Sequence, residues 1–227
     1  LVCVAALPLA LVVDAEDEVS SALLVGSVLG MCLLAIADSL LLLFIGLEFM
    51  SLPAYLLVAR ASESGRGHPA LEASIKYFFA GSVAAALFLF GMALHYGASG
   101  SLAIAPADGP LAAAGAALML SAALFKVGAV PLHFWLPDAY EGAPPELSGF
   151  LSTAVKGAGM LLLLRVASMA PELAAEWLPW LGALGALVGA AGALRQEKLQ
   201  RLLAYSSISH AGFMVFGVGA WAARGGR

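Results

Sequence analysis

Long apolar runs separated by short polar stretches organise the chain from end to end. A membrane-spanning helix needs about 20 consecutive apolar residues, and the charge-poor stretches divide into eight segments of that kind. The first, 1–13, is closed by the acidic run from Asp14 to Glu18. The next two cover 20–37 and 39–59, with Asp38 between them as a candidate cap and Arg60 after them. A polar loop, RASESGRGHP, leads to a segment over 71–96, and a Gly/Ser/Pro/Asp stretch at 97–110 precedes one starting at Leu111. Pro131 and Pro137 are expected to interrupt that segment, because proline removes a backbone donor and clashes with the preceding turn. After AYEGAPPE a segment covers 147–168; Pro171, Glu172 and Glu176 are expected to separate it from 177–194, and RQEKLQR precedes the last, 202–222. Strand-like alternation is absent, and lipid admits only helices and closed barrels. The pattern therefore predicts an all-α, polytopic transmembrane helical bundle.

Composition agrees with a lipid solvent. The 227 residues are 62% hydrophobic and 11% charged, whereas a soluble domain carries about 25% charged residues. Net charge is −4 with no basic block, which argues against nucleic acid as a partner. Cys3 and Cys32 lie in apolar runs without CxxC spacing, so they are read as small apolar residues and not as metal ligands. The chain opens at Leu1 inside an apolar run with no basic n-region, unlike a signal peptide. Both ends fall in or beside apolar runs, so the chain is expected to be part of a longer protein. Loop cations set orientation: Arg60, Arg66, Arg195, Lys198 and Arg201 on one side against Arg165, Arg224 and Arg227 on the other favour the first as cytoplasmic. Gly157, Gly159, Gly182, Gly185, Gly189 and Gly192 are expected to permit close helix packing. Gly217-x-Gly219 sits within a span and follows no strand, so it is no dinucleotide motif.

Three charges change the picture. Glu48, in LFIGLEFMSLP, Lys126, in SAALFKVGAVPLHFW, and Lys156, in LSTAVKGAG, fall well inside their segments. Each costs about 2.5–3.5 kcal/mol at mid-bilayer on insertion scales. Snorkelling is the structural alternative, but it works near helix ends. Pro53 lies five residues after Glu48 and is expected to kink its helix; Pro131 lies five after Lys126, with Gly128 between. Freed carbonyls in lipid are tolerated only against protein or a water-filled cavity, and broken helices build the ion sites of transporters. A lysine beside a carboxylate suits a proton relay, because a unit charge pair 4 Å apart at an effective dielectric of 20 is worth about 4 kcal/mol. Moving the partner charge then decides whether the amine holds its proton.

Weaker candidates accompany them. His133 lies seven residues from Lys126, on the same face if the helix persisted, and is read either as a relay to the cytoplasmic side or as a hydrogen-bonded interfacial histidine. His210, among Ser206, Ser207 and Ser209, either lines a second aqueous path or accompanies serines that bond back to the preceding turn. Glu72 and Lys76 are spaced as a solvated helix-end pair. Asp138, Glu141 and Glu146 fall in a loop and read as surface residues.

Four stretches carry a resemblance: GLEFMSLPAYLLVA, EASIKYFFAGSVAAALFLFGMALHYGASGSL, FKVGAVPLHFWLPDAYEGAPPELSGFLSTAVKGAG and KLQRLLAYSSISHAGFMVFG. In this order they resemble the antiporter-like membrane subunits of respiratory complex I, the proton-pumping NADH–quinone oxidoreductase. The resemblance implies inverted five-helix repeats, each with a broken helix. On that pattern 1–19 holds the remnant of a preceding helix, 20–170 the first repeat, and 171–227 the first two helices of a second. It also implies that Glu48 is the family's coupling glutamate, Lys126 the broken-helix lysine and Lys156 the lysine of the following helix. A second ionisable broken helix would lie beyond Arg227. No cofactor is expected in this chain: NADH, FMN, iron–sulfur clusters and quinone would belong to partner subunits. Expected partners are other membrane-arm subunits and the lipid bilayer of the bacterial inner membrane. The implied function is proton translocation driven by electron transfer elsewhere. A subunit of a multi-component Na+/H+ antiporter or of a membrane-bound hydrogenase shares these features, while a stand-alone solute carrier and a purely structural scaffold are the readings from other classes.

Overall fold

The computed structural model describes residues 18–61 and 67–225. The expected segment 1–13, Cys3, Arg66 and Arg227 lie outside the described residues. The helices are α1 (Glu18–Ile36), α2 (Leu40–Arg60), α3 (Gly67–Ser99), α4 (Pro110–Val127), α5 (Trp135–Gly142), α6 (Pro145–Phe150), α7 (Lys156–Ala167), α8 (Pro171–Ala193) and α9 (Leu199–Ala223), with a π-helical turn, Leu151–Val155, joining α6 to α7. Among the described residues seven helical stretches are long and apolar enough to cross a membrane, α6 to α7 counting as one. The only β pairing among them is an isolated bridge between Ser39 and Ala103.

Local chemistry explains where the boundaries fall, and several differ from the expected ones. Ser39, in an extended conformation, caps α2 by accepting from the Leu42 N–H at 3.4 Å, and Asp38 stays exposed outside the helix. A serine hydroxyl at that position satisfies one of the first-turn donors. The helix then runs through Pro53 as one element. The break after α4 is made by Gly128, not by the prolines. Gly128 adopts φ 72° and its N–H reaches Phe125 O at 3.0 Å, while Ala129 N–H reaches Leu124 O at 2.9 Å. That pair of bonds is the Schellman ending, which needs a residue at positive φ and so favours glycine. Pro137 lies in the first turn of α5, where the helix has no use for its missing N–H. Pro171 likewise opens α8 as its first residue, with Glu172 in the first turn. Proline and acidic residues both favour a helix start, so the expected separator is the beginning of the helix.

The outer face of α2 exposes Leu41, Ile45, Phe49, Leu52 and Leu56, while Leu40, Leu43, Leu47, Met50 and Ala54 turn inward. A helix apolar on both faces belongs in lipid. Pairs of glycines bring backbones together. A Cβ at Gly46 would stand 2.9 Å from Gly30 O, one at Gly91 would stand 2.6 Å from Gly115 O, and one at Gly212 would stand 2.6 Å from Gly182 O. Thus α1–α2, α3–α4 and α8–α9 cross at small residues. Gly157 differs from the expected pattern, since its Cβ would meet nothing within 4 Å.

The helix ends separate into two groups. At one end Lys76 pairs with Glu72 at 2.7 Å and Asp138 at 3.1 Å; Arg201 joins Asp138 at 3.0 Å and Glu141 at 2.7 Å, and Lys198 joins Glu141 at 2.5 Å. Arg60 Nε donates to Ser20 Oγ at 3.1 Å, tying the start of α1 to the end of α2. At the turn between α1 and α2, Arg165 donates to Ala37 O at 2.6 Å and Ala35 O at 3.0 Å, and Leu40 N–H bonds Leu102 O at 2.8 Å. The guanidinium thereby serves carbonyls left over at the end of α1. Asp138 and Glu141, expected as plain surface residues, are bound into a network that anchors α5 to α3 and α9. Arg201 and Lys198 hold the Glu141 carboxyl below the usual carboxylate range.

Candidate functional site

Lys126 is in the last turn of α4, two residues before the Gly128 ending, and is 2% exposed. Burying an ammonium demands hydrogen-bond partners for its three donors. It donates to Ser51 Oγ at 2.8 Å and, in a longer bond, to Tyr77 Oη at 3.4 Å. Ser51 in turn donates to Leu47 O on its own helix. The Lys126 Nζ also lies 5.6 Å from the ring centres of both Tyr55 and Tyr77, within cation–π range. Those rings meet edge to face, centres 4.4 Å apart. Glu48 lies one turn before Ser51 and is half-buried. The hydrogen bonds of Lys126 go to Ser51 and Tyr77 and not to Glu48.

Lys156 is the first residue of α7, immediately after the π turn, and is 4% exposed. π-turns occur frequently at functional sites. Its Nζ donates to Ser207 O at 2.7 Å and to Ser207 Oγ, reaching from α7 to α9. Ser207 Oγ lies 3.2 Å from Tyr140 Oη on α5. Ser209 donates to Ala186 O on α8 at 3.1 Å. Neither serine, then, spends its hydroxyl on the preceding turn.

The two lysine sites share walls. A Cβ on Gly159, three residues after Lys156, would stand 3.3 Å from Lys126 Cγ, so α7 passes directly against the stem of Lys126. The short helix α5 touches both sites. Trp135 stacks on Tyr77 with centres 4.2 Å apart and planes 2° apart, and its Nε1–H donates to Phe125 O at 3.1 Å. Five residues on, Tyr140 contacts Ser207.

His133 stands apart from this arrangement, whereas His210 borders it. Gly128 ends α4, so the shared face expected for His133 and Lys126 does not exist. His133 lies half-buried in the turn before α5, near the backbone of Pro131. Among the described residues its Nδ1 has no hydrogen-bond partner. His210 is exposed and lines a cavity of about 790 Å³ with Tyr140, Lys156, Ser206 and Ser207. Among the described residues no cluster of three or more His, Cys, Asp or Glu side chains fits a metal ion. Tyr55, Tyr77, Tyr140 and Ser51 were not singled out by sequence reasoning, since uncharged residues in an apolar run give no energetic alarm. Nor was Ser207 paired with Lys156.

Residues 37–226 match a family described as NADH:quinone oxidoreductase/Mrp antiporter, transmembrane. NADH-quinone oxidoreductase subunit 14 of Thermus thermophilus is 46% identical over 187 residues, 82% of this chain and 42% of that protein. A chain in the structure of respiratory complex I from Thermus thermophilus with bound aureothin superposes with a TM-score of 0.86 at 43% identity, over 96% of this chain and 49% of that one. The membrane-bound sulfane sulfur reductase, an archaeal respiratory membrane complex, gives the same TM-score at 27% identity, over 96% and 47%. Fold alone therefore does not separate the two complexes, but identity favours the first. The chain spans under half the length of these relatives.

Proposed function

Because this chain belongs to the NADH:quinone oxidoreductase/Mrp antiporter transmembrane family, we propose that it is a proton-translocating membrane subunit of an NADH–quinone oxidoreductase. Protons move through Glu48, Lys126 and Lys156, driven by electron transfer in other subunits. The observation that carries this reading is the pair of lysines. Both are buried in the bundle, on adjoining helices, and both bond to serine hydroxyls, Lys156 also to the Ser207 carbonyl, instead of fixed carboxylate partners. A structural ion pair would be locked by its counter-charge; a hydroxyl can accept from an ammonium or donate to a neutral amine, so either protonation state is accommodated. Glu48 lies on α2 one turn before Ser51, which accepts from Lys126, so a charge arriving on this stretch would favour or disfavour proton release. His210, on the wall of the cavity beside Lys156, provides the aqueous approach to it. His133 is the weakest member, with no bond to Lys126.

NADH, FMN, iron–sulfur clusters and quinone are held by partner subunits of the membrane and peripheral arms, in the bacterial inner membrane. Residues 20–170 form one repeat and 171–227 begin the next. The test uses inverted membrane vesicles from cells with the complete protein in its complex. NADH oxidation is expected to acidify the vesicle lumen, and deletion of the gene to abolish this. Sodium-for-proton exchange without NADH would instead identify an antiporter subunit.

A further inference from the structure

We infer that Trp135 is the positioning residue of the Lys126 site: one rigid ring fixes both the peptide carbonyl that leads into Lys126 and the phenol to which Lys126 bonds. This rests on the proton-translocating reading and adds the residue that holds one of its amines in place. The indole is buried and restrains its surroundings in two directions. In its plane, Nε1–H donates to Phe125 O at 3.1 Å. The same carbonyl accepts from the Gly128 N–H at 3.0 Å, so the indole is bonded into the ending of α4 itself. Across its face, the ring lies flat on Tyr77, centres 4.2 Å apart and planes 2° apart. Tyr55 meets Tyr77 edge to face at 4.4 Å. The phenol held between these rings accepts from Lys126 Nζ at 3.4 Å.

A lysine ammonium rides on a flexible four-carbon stem, so it rests where its acceptors are held. Ser51 is held by its bond to Leu47 O; Tyr77 is held by the stack. The stack has an anchor outside the site. Trp135 is the first residue of α5, and Asp138, three residues on, bonds Lys76 at 3.1 Å. Lys76 immediately precedes Tyr77. Helices α3 and α5 are therefore joined twice over adjacent residues, by rings inside the bundle and by an ion pair at its end. Tryptophan suits the position because its ring nitrogen is a donor only, set in the edge of a broad apolar plate. Phenylalanine has the plate without the donor, and leucine has neither.

The test uses the full-length protein within its complex. NADH-driven proton flux is measured across a range of pH for the unaltered protein, Trp135→Phe, Trp135→Leu, Lys126→Ala and the double variant Trp135→Leu with Lys126→Ala. Trp135→Leu is expected to lower the flux at least ~5-fold, as the loss of a hydrogen bond and an aromatic pair together implies. Trp135→Phe, which keeps the plate, should recover part of this and remain about 2-fold low for the missing hydrogen bond. The pH midpoint of the flux should move in Trp135→Leu by at least about half a unit, the size of one lost cation–π contact. A lowered flux with an unmoved midpoint would be general structural damage and would overturn the assignment. In the absence of Lys126 the Trp135→Leu change should lower the residual flux no further, whereas independent damage would multiply and count against positioning. If Lys126→Ala lowers the flux and both Trp135 variants leave it intact, the positioning role alone falls. If Lys126→Ala also leaves it intact, the proton-translocating reading falls with it. Should Trp135→Leu not assemble, Trp135→Phe decides, and an unaltered flux in that variant overturns the proposal.

Discussion

Gly212→Ala is expected to damage the protein where Gly217→Ala, five residues further along α9, does not. A Cβ at Gly212 would stand 2.6 Å from Gly182 O and 2.7 Å from Gly185 C, both backbone atoms of α8. Neither can rotate aside. Ala186 N, a third backbone atom of α8, would be nearer still, so restoring an ordinary contact of about 3.4 Å requires the helices to part by more than about 0.8 Å. A gap of 0.5–1 Å forfeits roughly a quarter to a half of each van der Waals well it opens, and overpacking of this kind costs typically about 1–3 kcal/mol. Gly217 has nothing within 4 Å of its Cβ position. Both changes gain the same helix-propensity term of about 1 kcal/mol, so it cancels in the comparison and leaves the clash. The displacement also reaches the site. Ser207 precedes Gly212 by less than two turns on the same helix, and its carbonyl receives the Lys156 ammonium at 2.7 Å. Moving α9 away by that amount takes the bond out of ordinary hydrogen-bond range. The assay is thermal unfolding of the detergent-solubilised complex alongside NADH-driven proton flux. Gly212→Ala should melt lower and pump less than Gly217→Ala. Equal melting temperatures would refute close backbone contact between α8 and α9.

Other perturbations test separate parts. Ser39→Ala should cost about 1 kcal/mol through loss of the α2 cap while Asp38→Ala costs little, as read by thermal unfolding; the reverse order would return the cap to Asp38. The ion network has a defined pH sense. Glu141 is held below its ordinary value of 4.5, first by Arg201 and then by Lys198. A carboxylate with a depressed folded value contributes stability that is complete above the unfolded value and fades as pH falls through the folded one. The difference in melting temperature between the native chain and Glu141→Gln should therefore be constant from neutral pH to about 4.5 and shrink below it. A difference that instead grows with acid would exclude this ion pairing.

The spans were legible because lipid enforces a crude rule: about 20 apolar residues per crossing. Lys126 and Lys156 were legible for the same reason, since a charge in such a run contradicts its surroundings. Finer choices were not. Pro131, Pro137 and Pro171 look alike in a sequence, yet the first lies in a turn and the other two sit in first turns that tolerate proline. What ended α4 was a glycine at positive φ, and its role depends on hydrogen bonds that no periodicity encodes. Asp138 and Glu141 found partners some sixty residues away, a separation beyond any local pattern. Tyr77 and Tyr140 were silent because a phenol costs little in an apolar run until its neighbours are known.

The measurement closest to the heart of the matter compares Lys126→Ala and Lys156→Ala with the unaltered protein, each in its assembled complex, for NADH-driven proton flux into sealed vesicles. Removing either amine should cut the flux by ~10-fold or more while the complex remains intact by native gel. Undiminished flux with both amines gone would mean that protons cross elsewhere and that the buried lysines are structural.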